Sequence, residues 1–171
     1  MNENLTYVRL TDESAYLIPE KGKPIPFKYY VHKVHKLNFG NFIALGPNHK
    51  STWGIIDKNG TMLLPFIFKE IIAIRGSQLV QFTTEDNRKG LFNAKGDLIN
   101  GRLYSSLEYL KLGLYKVQEK SGRNKKWGLI NDKGETILPI AYDSIHLDGG
   151  LIFTKKGENT LIFDRTGKPI K

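Results

Sequence analysis

The side chains able to do acid–base, nucleophilic or metal chemistry lack the spacing that such chemistry needs. The chain has 4 histidines and no cysteine, which excludes thiol nucleophiles, thiolate zinc sites and iron–sulfur clusters. His32 and His35 are three residues apart on a predicted strand, so they point to opposite faces and do not share a metal. No serine lies in a Gly-x-Ser-x-Gly context, and the sequence has no Gly-Lys-Ser or Gly-Lys-Thr element. We therefore predict no catalytic residue, no metal site and no cofactor, and expect a protein that is not an enzyme.

Lysine and arginine are the residue types that stand out instead. With 26 Lys+Arg against 17 Asp+Glu, the formal net charge is +9, which favours an anionic partner: an acidic protein face, nucleic acid or anionic lipid. Equivalent connections of a repeat stack emerge on the same rim, so cations distant in sequence are expected to form one patch. The predicted partner-binding residues are Arg88, Lys89, Lys120, Arg123, Lys125, Lys126, Lys155 and Lys156. The alternative interpretation is a lysine-rich surface that only keeps the protein in solution.

An internal repeat must position these connections. Residues Trp53–Gly60 recur as Trp127–Gly134 and more weakly as Lys89–Gly96, with degenerate copies at 15–22 and 160–167. The final glycines of the five copies, Gly22, Gly60, Gly96, Gly134 and Gly167, follow one another at intervals of 38, 36, 38 and 33 residues. Such a fixed period is typical of repeat architectures.

Each copy predicts a β-hairpin followed by a third strand. Asp or Asn three residues before glycine suits a type I turn that ends in a left-handed residue. Two adjacent apolar residues before the turn, such as Ile55 and Ile56, predict a strand buried on both faces. In the four complete copies, an aromatic eight residues after the glycine marks the second strand, and a further apolar stretch marks the third. We predict one all-β domain, residues 1–171, of three-stranded antiparallel units of about 36 residues at 15–46, 53–83, 89–118, 127–155, and 160–171 plus 5–10.

The two ends of the chain predict how the units are arranged. The last unit lacks its third strand, and the chain opens with a strand, Tyr7–Leu10, that has no preceding partner. If the N-terminal strand completes the C-terminal unit, five units form a closed, propeller-like ring without exposed sheet edges. The alternative is an open β-solenoid in which this strand caps the first unit.

The recurring residues resemble the WG β-repeat family of bacterial proteins. The resemblance rests on the Trp-Gly pair, the two aliphatic residues after it, the Asp/Asn-x-x-Gly turn, and Leu138-Pro139 followed by Tyr142–Ile145. It is strongest at residues 53–72 and 127–146. The resemblance implies a bacterial β-repeat scaffold that serves as an interaction module, with no catalytic motif to carry over. Trp53 and Trp127 are interpreted as packing residues, because they recur at one position of the repeat.

These observations lead to one functional prediction and one alternative. The first twenty residues do not resemble a secretory signal, and no apolar run reaches the roughly 18 residues of a membrane helix, so we expect a cytoplasmic protein with no membrane partner. We predict a non-enzymatic scaffold that binds another protein with an acidic surface, for example as an inhibitor of the immunity type. The alternative is a nucleic-acid-binding module that uses the basic rim. A small-molecule ligand is not expected.

Overall fold

The protein is all-β in the part of the chain that the structure describes. The computed structural model describes residues 5–10, 15–19, 23–27, 33–36, 42–46, 52–57, 59–119 and 125–170. Five small antiparallel sheets fill these ranges, and their only helical element is a 3-10 turn at Ile99–Gly101. Among these residues there is also no helix long and apolar enough to cross a membrane. The all-β prediction is confirmed.

Each sheet is a meander in which every strand pairs with its neighbour in sequence. The first sheet contains β1 (Leu5–Arg9), β2 (Ala15–Pro19) and β3 (Ile25–Phe27). The second contains β4 (Lys33–Lys36), β5 (Phe42–Leu45), β6 (Trp53–Ile56) and β7 (Met62–Phe68). The third contains β8 (Glu70–Ala73), β9 (Val80–Thr83) and β10 (Lys89–Phe92). The fourth contains β11 (Ser106–Lys111), β12 (Leu114–Gln118), β13 (Trp127–Asn131) and β14 (Thr136–Tyr142). The fifth contains β15 (Ser144–Asp148), β16 (Leu151–Lys156) and β17 (Asn159–Phe163).

The sheets begin at a different point of the repeat from the predicted units. The chain leaves one sheet and enters the next at a single residue that follows the recurring aromatic: Lys69, Ser105 or Asp143. The backbone N–H of Asp143 already donates to Lys155 in the fifth sheet (2.7 Å), and Lys69 donates to Thr83 in the third (2.9 Å). The predicted third strand of a unit therefore pairs forward with the next Trp-Gly strand, and each predicted unit spans parts of two sheets.

The N-terminal strand pairs with the strand that follows it in the chain. β1 is an edge strand of the first sheet, and its described partner is β2, with Tyr7 opposite Leu17. The fifth sheet is extended by its own chain, because Phe163 bridges Pro169 and the N–H of Ile170 donates to the carbonyl of Ile162 (2.9 Å). β1 thus pairs forward with β2 as the predicted third strand β12 pairs forward with β13, and its place as the third strand of the C-terminal unit stays a prediction.

The core lies between successive sheets. In the middle of the chain the two adjacent apolar residues are both buried, as predicted: Leu91 is 2% exposed and Phe92 is 7% exposed. Leu91 packs with Ile130 of the fourth sheet, and Phe92 packs with Ile55 of the second. A third cluster joins the fourth and fifth sheets. The third and fourth sheets thus contribute apolar side chains from both faces, and each packs against the sheet before it and the sheet after it.

The described glycine turns at Gly96, Gly134 and Gly167 each contact the sheet before their own. The turn at Gly134 has the predicted form: the glycine N–H donates to the Asn131 carbonyl (3.0 Å), and the Asn131 side chain accepts from two further backbone N–H groups. A Cβ on Gly134 would lie 2.7 Å from Asn100 of the preceding hairpin, and one on Gly167 would overlap the carbonyl of Ile137. Glycine is required here for its positive φ and for this close approach.

Candidate partner-binding surface

One end of the sheets carries the bends between sheets together with the connections in which the predicted cations lie. Consecutive strands of each sheet run in opposite directions. The connections β9–β10, β12–β13 and β16–β17 therefore lie at the same end of their sheets as the bends at Lys69, Ser105 and Asp143. Hydrogen bonds join the two features: Gly157 N–H to Asp143 Oδ2 (2.8 Å), Lys69 Nζ to Asn87 Oδ1 (2.6 Å) and Ser105 Oγ to the Gln118 carbonyl (2.9 Å). We call this end the bend end, and the opposite end with the glycine turns the turn end.

The bend end contains every described member of the predicted set. Lys120 and Arg123 lie outside the described residues. The side chains of Arg88, Lys125, Lys155 and Lys156 are exposed, whereas Lys89 and Lys126 are half-buried. Three connections that are distant in sequence thus present their cations at one end of the molecule.

Asp143 ties two of these connections together. The Lys126 ammonium, in the connection before β13, ion-pairs with Asp143 Oδ1, and Gly157, after β16, donates to Asp143 Oδ2. The Lys126 side chain and then the Gly157 N–H hold the pKa of Asp143 below its usual range, and Lys155 adds a smaller effect of the same sign. Lys126 is therefore neutralised locally. Sequence reasoning missed Asp143, whose only signal is its place directly after the recurring aromatic.

Arg88 also has a carboxylate partner. Its Nε donates to Asp86 Oδ2 at 2.7 Å, with both side chains more than half exposed. The Thr84 hydroxyl and then Arg88 hold the pKa of Asp86 below its ordinary value. Because Asp86 and Asp143 interrupt the cations, the surface is basic but mixed in sign. Such a pattern suits a specific acidic protein face better than a uniform phosphate backbone.

A cleft opens at the bend end where the second and third sheets meet. It measures about 690 Å³ and is lined by Trp53 of β6 and by residues of the third sheet, including Lys69, Ile71, Asn87 and Lys89. Of these, the sequence analysis singled out only Trp53 and Lys89. Lys69 was missed because it lies at the bend, a position that no residue type marks: the equivalent residue of the later repeat is Asp143.

The two tryptophans are half-buried packing residues with different surroundings. Trp127 packs against the cluster between the fourth and fifth sheets, and the Lys116 ammonium lies 4.4 Å from its ring centroid. Lys116 in turn pairs with Glu108 at 2.7 Å. Trp53 packs against the cluster between the second and third sheets and also lines the cleft. The packing interpretation therefore describes Trp127 fully and Trp53 in part.

Comparisons with known proteins agree with this architecture. The family model described as WG containing repeat matches residues 53–77 and 127–159. No curated protein matches the chain. Among solved structures, a eukaryotic initiation factor is similar over 100% of this chain and 54% of its own, at 10% identity and a TM-score of 0.51. Hsv2 from Kluyvelomyces marxianus aligns with 99% of this chain and 60% of its own, at 12% identity and a TM-score of 0.45.

The five sheets define an all-β repeat protein. Residues 53–77 and 127–159 match the WG-containing repeat, which confirms the resemblance found in the sequence. The likeness to the initiation factor shows a shared fold alone, and the present chain spans about half the length of that structure.

Proposed function

We propose that this protein is a non-enzymatic β-repeat scaffold that binds another protein, one with an acidic surface, through the bend end. The observation that carries the proposal is the gathering of Arg88, Lys125, Lys155 and Lys156 at one end from three sheets. Exposed cations steer an acidic partner toward this end and set its orientation. An inhibitor of the immunity type, acting in the bacterial cytoplasm on an acidic protein domain, is a specific form of this function.

The support from the fold is rigidity. Apolar clusters lie between successive sheets, and the glycine turns seat against the preceding hairpins. A surface held by such a framework loses little conformational entropy when a partner binds. Recognition by connections on a rigid repeat framework is a common use of such scaffolds.

Ring closure is a separate proposal about the same scaffold. It requires the outward face of the fifth sheet to meet the first sheet, as in a propeller. The burial of two apolar residues on the outward faces of the end sheets supports it. Ile18 on β2 and Ile162 on β17 are half-buried rather than exposed. The open stack remains the alternative.

Two variants of equal charge test the binding function. Replacing Lys125, Lys126, Lys155 and Lys156 with Gln lowers the net charge from +9 to +5 (9 − 4) at the bend end. Replacing Lys95, Lys133, Arg165 and Lys168 with Gln makes the same change at the turn end. We expect affinity capture from host extract to retain the same protein on the wild type and the turn-end variant, and to lose it on the bend-end variant. Equal retention by all three proteins would refute the proposal.

Nucleic-acid binding is the second candidate, favoured by the same exposed cations. It predicts that affinity falls steeply with salt, by a slope of about 0.9 per phosphate neutralised in duplex DNA. The capture experiment is therefore repeated after nuclease treatment and at several salt concentrations. Loss of the bend-end interaction on nuclease treatment would favour this candidate over a protein partner.

A further inference from the structure

The cleft at the junction of the second and third sheets combines cations with an apolar surface. Lys69 and Lys89 both line it, and Trp53 and Ile72 provide apolar surface, with Ile72 42% exposed. Lys69 is oriented by Asn87 Oδ1, a neutral acceptor 2.6 Å from its ammonium nitrogen. Glu70 is the one carboxylate of the lining, and it accepts a 3.4 Å hydrogen bond from Thr83. The lining thus carries two positive charges and one negative charge.

At the next two junctions between sheets, the side chain of the bend residue is neutral or is paired with a charge of the chain itself. At the junction of the third and fourth sheets the bend residue is Ser105, whose hydroxyl donates to the Gln118 carbonyl. At the junction of the fourth and fifth sheets it is Asp143, a carboxylate held between the Lys126 ammonium and the Gly157 N–H. At the cleft, no carboxylate among the described residues ion-pairs with Lys69 or Lys89. A carboxylate of the chain therefore neutralises a lysine at the junction of the fourth and fifth sheets, whereas the described residues supply no such partner for the two lysines of the cleft.

We propose that this cleft binds the carboxylate of an acidic residue in a partner protein, with a neighbouring apolar side chain of the same segment against Trp53 and Ile72. The ammonium groups of Lys69 and Lys89 receive the carboxylate. A singly charged carboxylate balances the single net positive charge of the lining, whereas a doubly charged phosphate would leave a net negative charge in the cleft. The volume of about 690 Å³ accommodates two side chains rather than a folded surface. This inference rests on the protein-binding function and names the segment that enters the cleft.

A small probe tests the cleft separately from the whole partner. The probe is the blocked dipeptide N-acetyl-Glu-Leu-amide, compared with N-acetyl-Gln-Leu-amide, which has the same shape without the charge. Binding is followed by NMR at the indole N–H of Trp53, which the Trp127→Phe variant identifies. We expect saturable shifts at Trp53 and Asn87 with the Glu dipeptide, and little response to the Gln dipeptide at equal ionic strength.

Variants at the cleft give the quantitative test. Lys69→Gln and Lys89→Gln should each weaken the Glu dipeptide by about 3- to 5-fold, as expected for one partly exposed ion pair. Lys133→Gln, an exposed lysine at the turn end, is the matched control and should change the affinity by less than about 2-fold. Each folded variant is checked by its unfolding midpoint before titration.

Three results would overturn the inference: no saturable shift at Trp53, equal binding of the Gln dipeptide, or equal effects of Lys69→Gln and Lys133→Gln. Tighter binding of inorganic phosphate than of the Glu dipeptide would overturn the assignment to a carboxylate. If the bend-end variant loses the captured partner while the dipeptide does not bind, the cleft proposal fails and the scaffold function stands. If the dipeptide binds but capture does not depend on the bend end, the scaffold function fails and the binding of a carboxylate in the cleft stands.

Discussion

At the scale of single residues, one position of the repeat keeps its backbone role while its side chain changes. The bend residue is Lys69, Ser105 or Asp143, and in each case its N–H donates to a carbonyl at the end of the second strand of the following sheet. The side chain also contacts that end of the sheet each time, but as a cation, a hydroxyl or an anion. Backbone hydrogen bonds therefore preserve the fold, so the side chain at the bend can differ from one repeat to the next.

A buried tyrosine gives a prediction at this scale. Tyr115 is fully buried, its hydroxyl lies 2.5 Å from Ser77 Oγ, and burial raises the pKa of its phenol. Tyr115→Phe should cost about 1 kcal/mol at pH 7 through loss of this hydrogen bond. The wild-type advantage should be complete below the unfolded pKa of about 10 and decline as pH rises through the higher folded value. Urea unfolding of both proteins from pH 7 to pH 11 measures this, and a constant difference across that range would contradict it.

At the scale of elements, stability depends on how each glycine turn meets the preceding sheet. The Gly134 turn approaches Ile99 and Asn100, and the Gly167 turn approaches Ile137. The position three residues after the previous glycine thus receives the next turn, which explains the apolar residue found there in each copy. The turn glycines and these apolar residues form one contact that repeats along the chain.

A pair of glycine substitutions isolates that contact. Gly167 (φ 85°) and Gly157 (φ 60°) are both left-handed, but a Cβ at Gly157 would meet nothing within 4 Å. Gly157→Ala should therefore cost only the backbone penalty, about 1–2 kcal/mol. Gly167→Ala should cost about 1–3 kcal/mol more, because the methyl group forces the fifth sheet away from Ile137. Thermal or urea unfolding checks the difference, and equal costs would show that the turn does not support the sheet contact.

The strands and turns could be predicted from the sequence, but the boundaries of the sheets could not. Adjacent apolar pairs such as Leu91 and Phe92 signal burial on both faces, and Asn131 with Gly134 signals the turn. The bend has no residue type of its own, so nothing in the sequence marks where one hydrogen-bonded ladder ends and the next begins. For the site, the repeat placed the cations on one rim, but Asn87 and Asp143 act through side-chain contacts that only the folded chain reveals.

At the scale of the whole molecule, the two end sheets differ from the inner ones. Leu129 of the fourth sheet is 0% exposed and shares a cluster with Phe163 of the fifth. Its counterpart in the fifth sheet is Ile162, and the counterpart of Phe163 in the first sheet is Ile18. Both counterparts are only half-buried. If the ring closes, these two isoleucines face each other across the seam.

A double-mutant cycle decides between the ring and the open stack. For Ile18→Ala and Ile162→Ala, closure predicts a coupling energy of about 0.5–3 kcal/mol, as for residues in contact. An open stack predicts additivity within about 0.5 kcal/mol, because the two residues are then far apart. The cycle between Leu91→Ala and Ile130→Ala, which share a cluster, serves as the positive control. Additivity in the first cycle together with coupling in the control would rule out closure.

The contact between each described glycine turn and the hairpin before it has an evolutionary consequence. In the described part of the chain, the turns at Gly96, Gly134 and Gly167 each fit against the module before them, next to an apolar residue of that module. An in-frame duplication would therefore insert a new module whose neighbours on both sides already match, without any compensating change elsewhere. Proteins built in this way can lengthen or shorten by whole modules, and their number of modules can drift between relatives while the local packing stays the same.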